Sequence, residues 1–305
     1  MRKIMVLLFT VFTMAVHAGQ TENFKTDDGE TLYYIRQGSG PRIILLTGGP
    51  GYGVASMKSW ADSLGDEFES VLFDQRGTGL SKNVRIDSST INLTRACRDL
   101  DKLREHFGDE ALTLCGYSWG AMLALTYASV YPARVQNLVL VGPGPIDMSL
   151  WKAFQDNAER DTYPAERDSI AYWSRPEVVS RDPAHAGLMW TIFFLLNRFY
   201  DHAWGRSVCE KYFSHADYNP TMANLMWKVL YTSYDIKKPL KQYRGRCTII
   251  RGRQDNIPEQ AVYQIVQCIP QTKVYYIERC GHLADIEKPA ELFRLVRICI
   301  KPVNQ

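Results

Sequence analysis

A serine lies at the centre of the pentapeptide GYSWG, residues 116–120, which has the pattern G-x-S-x-G. The apolar run before it, residues 112–117, predicts a buried strand, and residues 118–131 predict a helix. A serine on the sharp turn between a strand and a helix projects above the sheet, and only small flanking residues permit that backbone. The alternative is an ordinary tight turn with a solvated serine, but the order of strand, turn and helix favours a nucleophilic Ser118.

A serine hydroxyl needs a base to remove its proton, and the base needs a carboxylate to orient it. Asp255 follows the apolar run CTIIR, and His282 follows the apolar run KVYYI. Taken singly, Asp255 could cap the following helix and His282 could lie on the surface. The chain order Ser118, Asp255, His282 is the one found when a triad is built on an α/β-hydrolase sheet. We therefore predict Ser118 as nucleophile, His282 as general base and Asp255 as its orienting partner.

The oxyanion of an acyl-transfer reaction needs backbone N–H donors. The glycines of TGGPG, residues 47–51, allow the backbone to approach a ligand closely, so we predict the amides of Gly49 and Trp119 as donors. A phosphate loop is excluded because the chain has neither G-x-x-x-x-G-K-[ST] nor G-x-G-x-x-G. Without CxxC spacing or an HExxH cluster, we expect no metal, and the predicted chemistry needs no cofactor.

Short β-branched runs alternate with longer helical patterns, which is typical of a mostly parallel central sheet flanked by helices. An antiparallel hairpin is predicted over residues 22–36, with its turn at Asp28-Gly29. Further strands are predicted at residues 42–47, 70–74, 112–117, 135–141, 247–251 and 273–277. Helices are predicted at residues 96–107, capped by Asn92 or Thr94, and at 118–131, 258–268 and 287–299.

About 100 residues separate the sixth strand from the next buried run, which is too long for an ordinary loop. Residues 146–246 look helical and hold half of the chain's 36 aromatic residues. We predict that they form a helical cap, or lid, inserted after strand six, with residues 19–145 and 247–305 as the core. The apolar run at 188–200 predicts a cap helix that faces both core and pocket.

The first 18 residues have the pattern of a cleaved secretory signal, with Arg2 and Lys3 before an apolar stretch that ends near Ala18. We therefore expect export to the periplasm or the medium, without a stable membrane anchor because the stretch is too short to span a bilayer. Removal of both basic residues lowers the formal charge from +3 to +1, which gives no reason to expect nucleic-acid binding.

The seven cysteines are odd in number and scattered, so they do not form a disulfide scaffold. A single bridge stays open, and spacing alone does not name its partners. Cys115 and Cys247 lie inside apolar runs, so we expect them to be small core residues.

Five sequence blocks resemble those of one group of enzymes. They are TGGPG at 47–51, DQRGTGLS at 74–81, GYSWGA at 116–121, GRQD at 252–255 and CGHLAD at 280–285. In these blocks the chain resembles the prolyl aminopeptidases (proline iminopeptidases) of the α/β-hydrolase superfamily. The resemblance implies the same three catalytic residues and two amide donors, and structural roles for Asp74 and Arg76.

The chain departs from this group at two places. Thr47 stands where the family block begins with histidine, so we expect weaker support of the oxyanion loop. In the family, acidic cap residues hold the substrate's amino group, but no motif selects among the candidates here. Those candidates are Glu159, Glu166, Glu177 and Glu210.

The sequence thus predicts a serine hydrolase that forms an acyl-enzyme. By resemblance, its reaction is the release of N-terminal proline or another small residue from short peptides. The alternative is an esterase or amidase of small acyl substrates with the same triad. A ligand-binding protein without turnover is disfavoured because a pure binder has no need of a paired nucleophile and base.

Overall fold

The computed structural model describes residues 19–213 and 217–301, so the predicted leader, residues 1–18, lies outside the described residues. One eight-stranded sheet runs through this part of the chain in the order β1-β2-β4-β3-β5-β6-β7-β8. Its strands are β1 (Gln20–Lys25), β2 (Thr31–Gln37), β3 (Arg42–Leu46), β4 (Glu69–Phe73), β5 (Leu112–Tyr117), β6 (Val135–Val141), β7 (Arg246–Gly252) and β8 (Lys273–Ile277). Pairs that involve β2 are antiparallel, and all the others are parallel. The mostly parallel sheet predicted from the sequence is confirmed.

Helices cover both faces of the sheet and also form the segment between β6 and β7. They are α1 (Lys58–Leu64), α2 (Leu93–Phe107), α3 (Trp119–Val130), α4 (Trp151–Asp161), α5 (Pro164–Trp173), α6 (Pro176–Val179), α7 (Pro183–Leu195), α8 (His202–Phe213), α9 (Pro220–Ser233), α10 (Lys237–Leu240), α11 (Glu259–Cys268), α12 (Ala284–Glu287) and α13 (Pro289–Ile300). One apolar layer fills the space between the sheet and α2, α3 and α11. A second layer lies between the other face and α1 and α13.

Local sequence signals account for most of these boundaries. Gly29, with φ of 84°, allows the turn between β1 and β2, as predicted. Asn92 caps α2, because its side chain accepts a hydrogen bond from the Arg95 amide at 2.9 Å. The helix predicted at 287–299 is α13, which starts at Pro289 because Lys288, with φ of −138°, ends the short helix α12 before it.

All seven cysteines lie within the described residues, and each is buried and unpaired. Cys115 and Cys247 are core residues of β5 and β7, as predicted. Across residues 19–213 and 217–301 there is neither a helix long and apolar enough to cross a membrane nor a cluster of side chains that could hold a metal ion.

The cap, residues 146–246, carries helices α4 to α10 between β6 and β7. Helix α7 and the short 3-10 turn Leu196–Arg198 occupy the run predicted to face both core and pocket. Ile192 and Phe193 are buried in a cluster with Leu283 and Ile286, which follow His282 in the core. The cap therefore packs directly against the loop that carries the predicted base.

Candidate active site

Ser118 occupies the turn between β5 and α3 in a strained backbone conformation. Its φ of 54° and ψ of −114° lie where side chains are rarely found. A Cβ atom at Gly116 would lie 2.4 Å from the Gly120 carbonyl oxygen, and one at Gly120 would lie 2.1 Å from that of Leu46. Only glycine therefore fits at both flanking positions, and the turn has the geometry that the sequence predicts.

The structure brings Ser118, His282 and Asp255 together at the carboxyl edge of the sheet. His282 Nε2 lies 3.0 Å from Ser118 Oγ, and His282 Nδ1 lies 3.0 Å from Asp255 Oδ2. The three residues follow β5, β8 and β7, and the parallel strands from β5 to β8 are neighbours in the sheet. Residues 164 positions apart in the chain thus meet because their strands end at the same edge.

His282 is fixed by contacts on its backbone and on its ring. Its amide donates to the Arg198 carbonyl oxygen at 2.6 Å, and the Tyr117 hydroxyl donates to its carbonyl oxygen at 3.3 Å. The Tyr117 ring also stacks on the imidazole, with 5.3 Å between centroids. A Cβ atom at Gly142, where φ is 51°, would lie 3.0 Å from His282 Cε1, so the imidazole packs closely against bare backbone.

Asp255 is held as an ionised acceptor. Burial raises the pKa of its carboxyl group, but the attraction and hydrogen bond of His282, with the charge of Arg251, outweigh burial and lower the pKa below its ordinary value. Its Oδ1 accepts from the Ile257 amide at 2.9 Å, which leaves Oδ2 for His282. Because a carboxylate only accepts, Nδ1 must donate, and Nε2 is left to accept the Ser118 proton.

Gly49 and Trp119 border the same cavity as Ser118 and His282. Gly49 has φ of 115°, a left-handed backbone that glycine adopts without strain. Trp119 is the first residue of α3, so its amide belongs to the helix-start donors that lack a partner within the helix. Both predicted donors therefore lie on the wall of the cavity that contains the serine.

Thr47 does not leave the oxyanion loop loosely held. Its hydroxyl donates to the Tyr52 carbonyl oxygen at 2.9 Å and accepts from Gln75 Nε2 at 3.1 Å. Gln75 Oε1 in turn accepts from the indole N–H of Trp119 at 2.9 Å. This chain of bonds ties the loop to the helix after Ser118, and the expectation of weaker support than a histidine would give stays a prediction.

Asp74 and Arg76 hold the DQRG segment in place. The Asp74 carboxylate accepts from the amides of Val54 at 2.8 Å and Leu80 at 2.9 Å. Arg76 donates twice to the buried Asp99 carboxylate, at 2.7 and 2.8 Å. These contacts are those of structural residues beside the site.

Two chambers meet at the Ser118–His282 pair. The larger has a volume of about 580 Å³, and the smaller about 140 Å³. Gly49, Tyr52 and Arg198 border both chambers. Cap aromatic residues supply much of the larger wall, namely Trp151, Phe154, Trp190, Phe194, Tyr218, Trp227 and Tyr231. This size and apolar lining are typical of a small-molecule site.

None of the four cap glutamates borders either chamber. Glu159, Glu177 and Glu210 are exposed. Glu166 is buried, but its carboxylate accepts from the Tyr163 amide at 2.8 Å and contacts His202 Nδ1 at 2.7 Å. The structure therefore places none of the four candidates in a chamber wall, because three face solvent and the fourth joins two cap helices.

Sequence reasoning missed two charged residues that do border the chambers. Asp285 lines the smaller one; its Oδ2 accepts from Trp60 Nε1 at 3.2 Å, and its buried Oδ1 has no partner among the described residues. Its place at the end of the CGHLAD block, three residues after His282, was the available signal. Arg198 is the one charged residue in the apolar run at 188–200, and a charge in such a run was an equally visible signal.

Comparison with known families agrees with this fold. The family model for the α/β hydrolase fold matches residues 41–289, which is most of the chain. The chain therefore belongs to the α/β hydrolase fold family.

Among curated proteins, a proline iminopeptidase from Xanthomonas citri is 38% identical over 128 residues, which are 40% of this chain and 39% of that protein. A proline iminopeptidase from Arabidopsis thaliana is 38% identical over 125 residues, 39% of this chain and 32% of that protein. The matched region is thus well under half the length of these relatives. The sequence-based resemblance to proline iminopeptidases is confirmed over that region.

Solved structures show the same fold over nearly the whole chain. An α/β fold family hydrolase from Bacillus anthracis matches with a TM-score of 0.72 and 20% identity, over 92% of this chain and 99% of that one. A proline iminopeptidase-related protein from Thermus thermophilus matches with a TM-score of 0.71 and 19% identity, over 93% and 98%. At these identities the likeness concerns the fold alone.

Proposed function

We propose that this protein is a serine hydrolase that works through an acyl-enzyme on Ser118. The observation that carries the proposal is the pair of 3.0 Å contacts that join Ser118, His282 and Asp255 beside an open chamber. A strained serine, a base and a buried carboxylate in this order form the arrangement that activates a hydroxyl group.

In this mechanism His282 Nε2 takes the Ser118 proton as Oγ attacks the substrate carbonyl carbon. The oxyanion that forms accepts hydrogen bonds from the Gly49 and Trp119 amides. His282 then protonates the leaving group, and the carbon–leaving-group bond breaks. Water, deprotonated by the same imidazole, attacks the acyl-enzyme and restores the serine. Asp255 stays ionised throughout and stabilises the imidazolium.

The substrates we propose are short peptides with N-terminal proline or another small residue. The similarity to the proline iminopeptidases supports this class. Asp285 supports it independently, because an acid at the edge of the smaller chamber is placed to attract the substrate's ammonium group. The volume of about 140 Å³ suits one small residue.

Hydrolysis of small esters or amides is the second candidate. The observation that favours it is the larger chamber, whose wall holds no Asp or Glu within residues 19–213 and 217–301. A substrate bound mainly there would need no amino group.

The two candidate functions differ in whether hydrolysis requires a free amino group on the substrate. We expect proline p-nitroanilide to be hydrolysed and its N-acetyl analogue to be hydrolysed poorly, whereas an esterase would accept p-nitrophenyl butyrate and ignore N-blocking. A fluorophosphonate should label the wild-type protein and not the S118A variant. Equal labelling of both would show that the nucleophile is a different residue.

The pH dependence gives a sharper test of Asp285. Burial raises the pKa of this carboxyl, and the Trp60 hydrogen bond only partly opposes the rise. As pH falls through that raised pKa, the acid becomes neutral and its attraction for an ammonium group is lost. The ratio of kcat/KM for the free-amine substrate to that for p-nitrophenyl butyrate should therefore fall toward acid pH, and a D285N variant should show a low, flat ratio. Since the proposed triad acts on both substrates, its contribution cancels in the ratio. An unchanged ratio in D285N would remove Asp285 from amine binding.

A further inference from the structure

Arg198 ends the short turn that follows helix α7 and reaches both chambers beside the serine. Its carbonyl oxygen accepts the His282 amide at 2.6 Å, so its backbone is fixed next to the base. A Cβ atom at Gly281 would lie 2.1 Å from that same oxygen, so the backbones of the two segments are in close contact. The contact that positions His282 therefore also fixes the backbone of Arg198.

The Arg198 side chain has no ionic partner in the described part of the chain. No hydrogen bond or salt bridge joins it to residues 19–213 or 217–301, and its buried Nε is unpartnered. The guanidinium carbon of Arg198 lies over the Phe194 ring, 5.3 Å from its centroid. Burial lowers the pKa of Arg198, with Tyr117, Tyr52 and the more distant Asp255 carboxylate opposing, but a guanidinium group stays protonated at any working pH.

Two buried arginines show what a structural role looks like in this protein. Arg76 is paired with the Asp99 carboxylate at 2.7 Å. Arg251 contacts Glu259 at 3.4 Å and donates to the Ile257 carbonyl oxygen at 2.8 Å. A buried charge without such partners is costly, because solvent is lost and nothing replaces it. Arg198 differs from both because it is half-buried, borders the two chambers, and feels the Asp255 charge only from beyond salt-bridge distance.

We propose that Arg198 binds a carboxylate group of the substrate at the junction of the two chambers. The inference rests on the serine-hydrolase function proposed above and deepens it by naming a charged feature of the substrate. A planar guanidinium group offers paired donors that match a carboxylate, and the nearby Tyr52 hydroxyl on the same wall can add another. Within the larger chamber's lining, the other ionisable groups are His282 and tyrosine hydroxyls, so an anion meets no repelling carboxylate there.

Two kinds of substrate carry a carboxylate close to the reacting carbonyl. In a short peptide it is the free C-terminus, on the leaving-group side. In a monoester or monoamide of a dicarboxylic acid it lies on the acyl side. For a short peptide, Asp285 would attract the ammonium group and Arg198 the carboxylate, so the site would select small zwitterions over the ends of long chains.

The test compares substrates that differ only in this charge. On the leaving-group side, the pair is Pro-Ala and prolyl-alaninamide; on the acyl side, it is the p-nitrophenyl monoester of glutaric acid and p-nitrophenyl pentanoate. We expect the wild-type protein to prefer the carboxylate in one pair, and that pair identifies the source. The R198M variant should lose about 10- to 100-fold in kcat/KM for the charged member, the usual effect of removing a charged hydrogen bond. The neutral member should lose much less, so that the preference for charge falls, and R198K should recover part of that preference.

The matched control is R206M. Arg206 also covers a cap phenylalanine, at 4.6 Å from the Phe193 ring, but it is exposed and borders neither chamber. It should keep the full charge preference. An equal loss on both members of a pair in R198M would assign Arg198 a purely structural role and overturn the proposal, as would a wild-type protein with no preference in either pair. If fluorophosphonate labelling of the wild type also fails, the hydrolase function itself falls; if labelling is intact, only the carboxylate proposal does.

Discussion

The core and the cap contribute to the site in different ways. In the core, strand ends and bare backbone fix the reacting groups, and there is no room for a Cβ atom at Gly116, Gly120 or Gly252. In the cap, side chains form the chamber wall, and a Cβ atom at Gly187 of α7 would meet nothing within 4 Å. The comparison teaches that the proposed chemistry depends on backbone geometry that tolerates little change, whereas the proposed substrate choice depends on the side chains of the cap.

The largest effect should come from the core triad. Replacing Asp255 by Asn keeps the shape but lets the amide favour the wrong imidazole tautomer, so we expect kcat to fall by about four orders of magnitude. The exposed Asp168 on cap helix α5 is the control, and D168N should leave kcat unchanged. Steady-state kinetics on proline p-nitroanilide would measure both. Near-normal turnover in D255N would mean that a different carboxylate orients His282.

A pair of glycine substitutions should sharpen the contrast in stability. In G120A the new methyl group would meet the Leu46 carbonyl oxygen at 2.1 Å, and we expect a loss of about 3 kcal/mol or more in the free energy of unfolding. In G187A the methyl group enters open space in a helix, where alanine is favoured over glycine by up to about 1 kcal/mol. Urea denaturation followed by circular dichroism would measure both. Destabilisation of similar size at the two positions would contradict the difference between core and cap.

The sequence predicted the parts of the molecule whose signals are local. Strands β5, β6 and β8 have the predicted bounds, and Ser118 was found from its strand, turn and helix. Asp255 and His282 were found because each follows a strand, and a parallel sheet gathers such positions at one edge. The cap lining could not be predicted in this way, because which face of a helix borders a chamber depends on packing. No sequence signal selected among the four candidate glutamates, and Asp285 and Arg198 emerged only with the fold.

The smallest effect should come from substitutions of the cap glutamates, which we expect to change stability without changing activity. E166Q weakens the bonds of Glu166 to the Tyr163 amide and His202, which join α5 to α8, so we expect a loss of about 1–2 kcal/mol in unfolding free energy. E177Q changes an exposed side chain and should stay within about 0.5 kcal/mol of the wild type. Neither should alter kcat/KM on proline p-nitroanilide or its ratio to the N-acetyl analogue, since neither glutamate borders a chamber. A selective loss of free-amine turnover in E166Q would show that the cap holds the substrate's amino group after all, and would shift that role from Asp285 in the core to the cap.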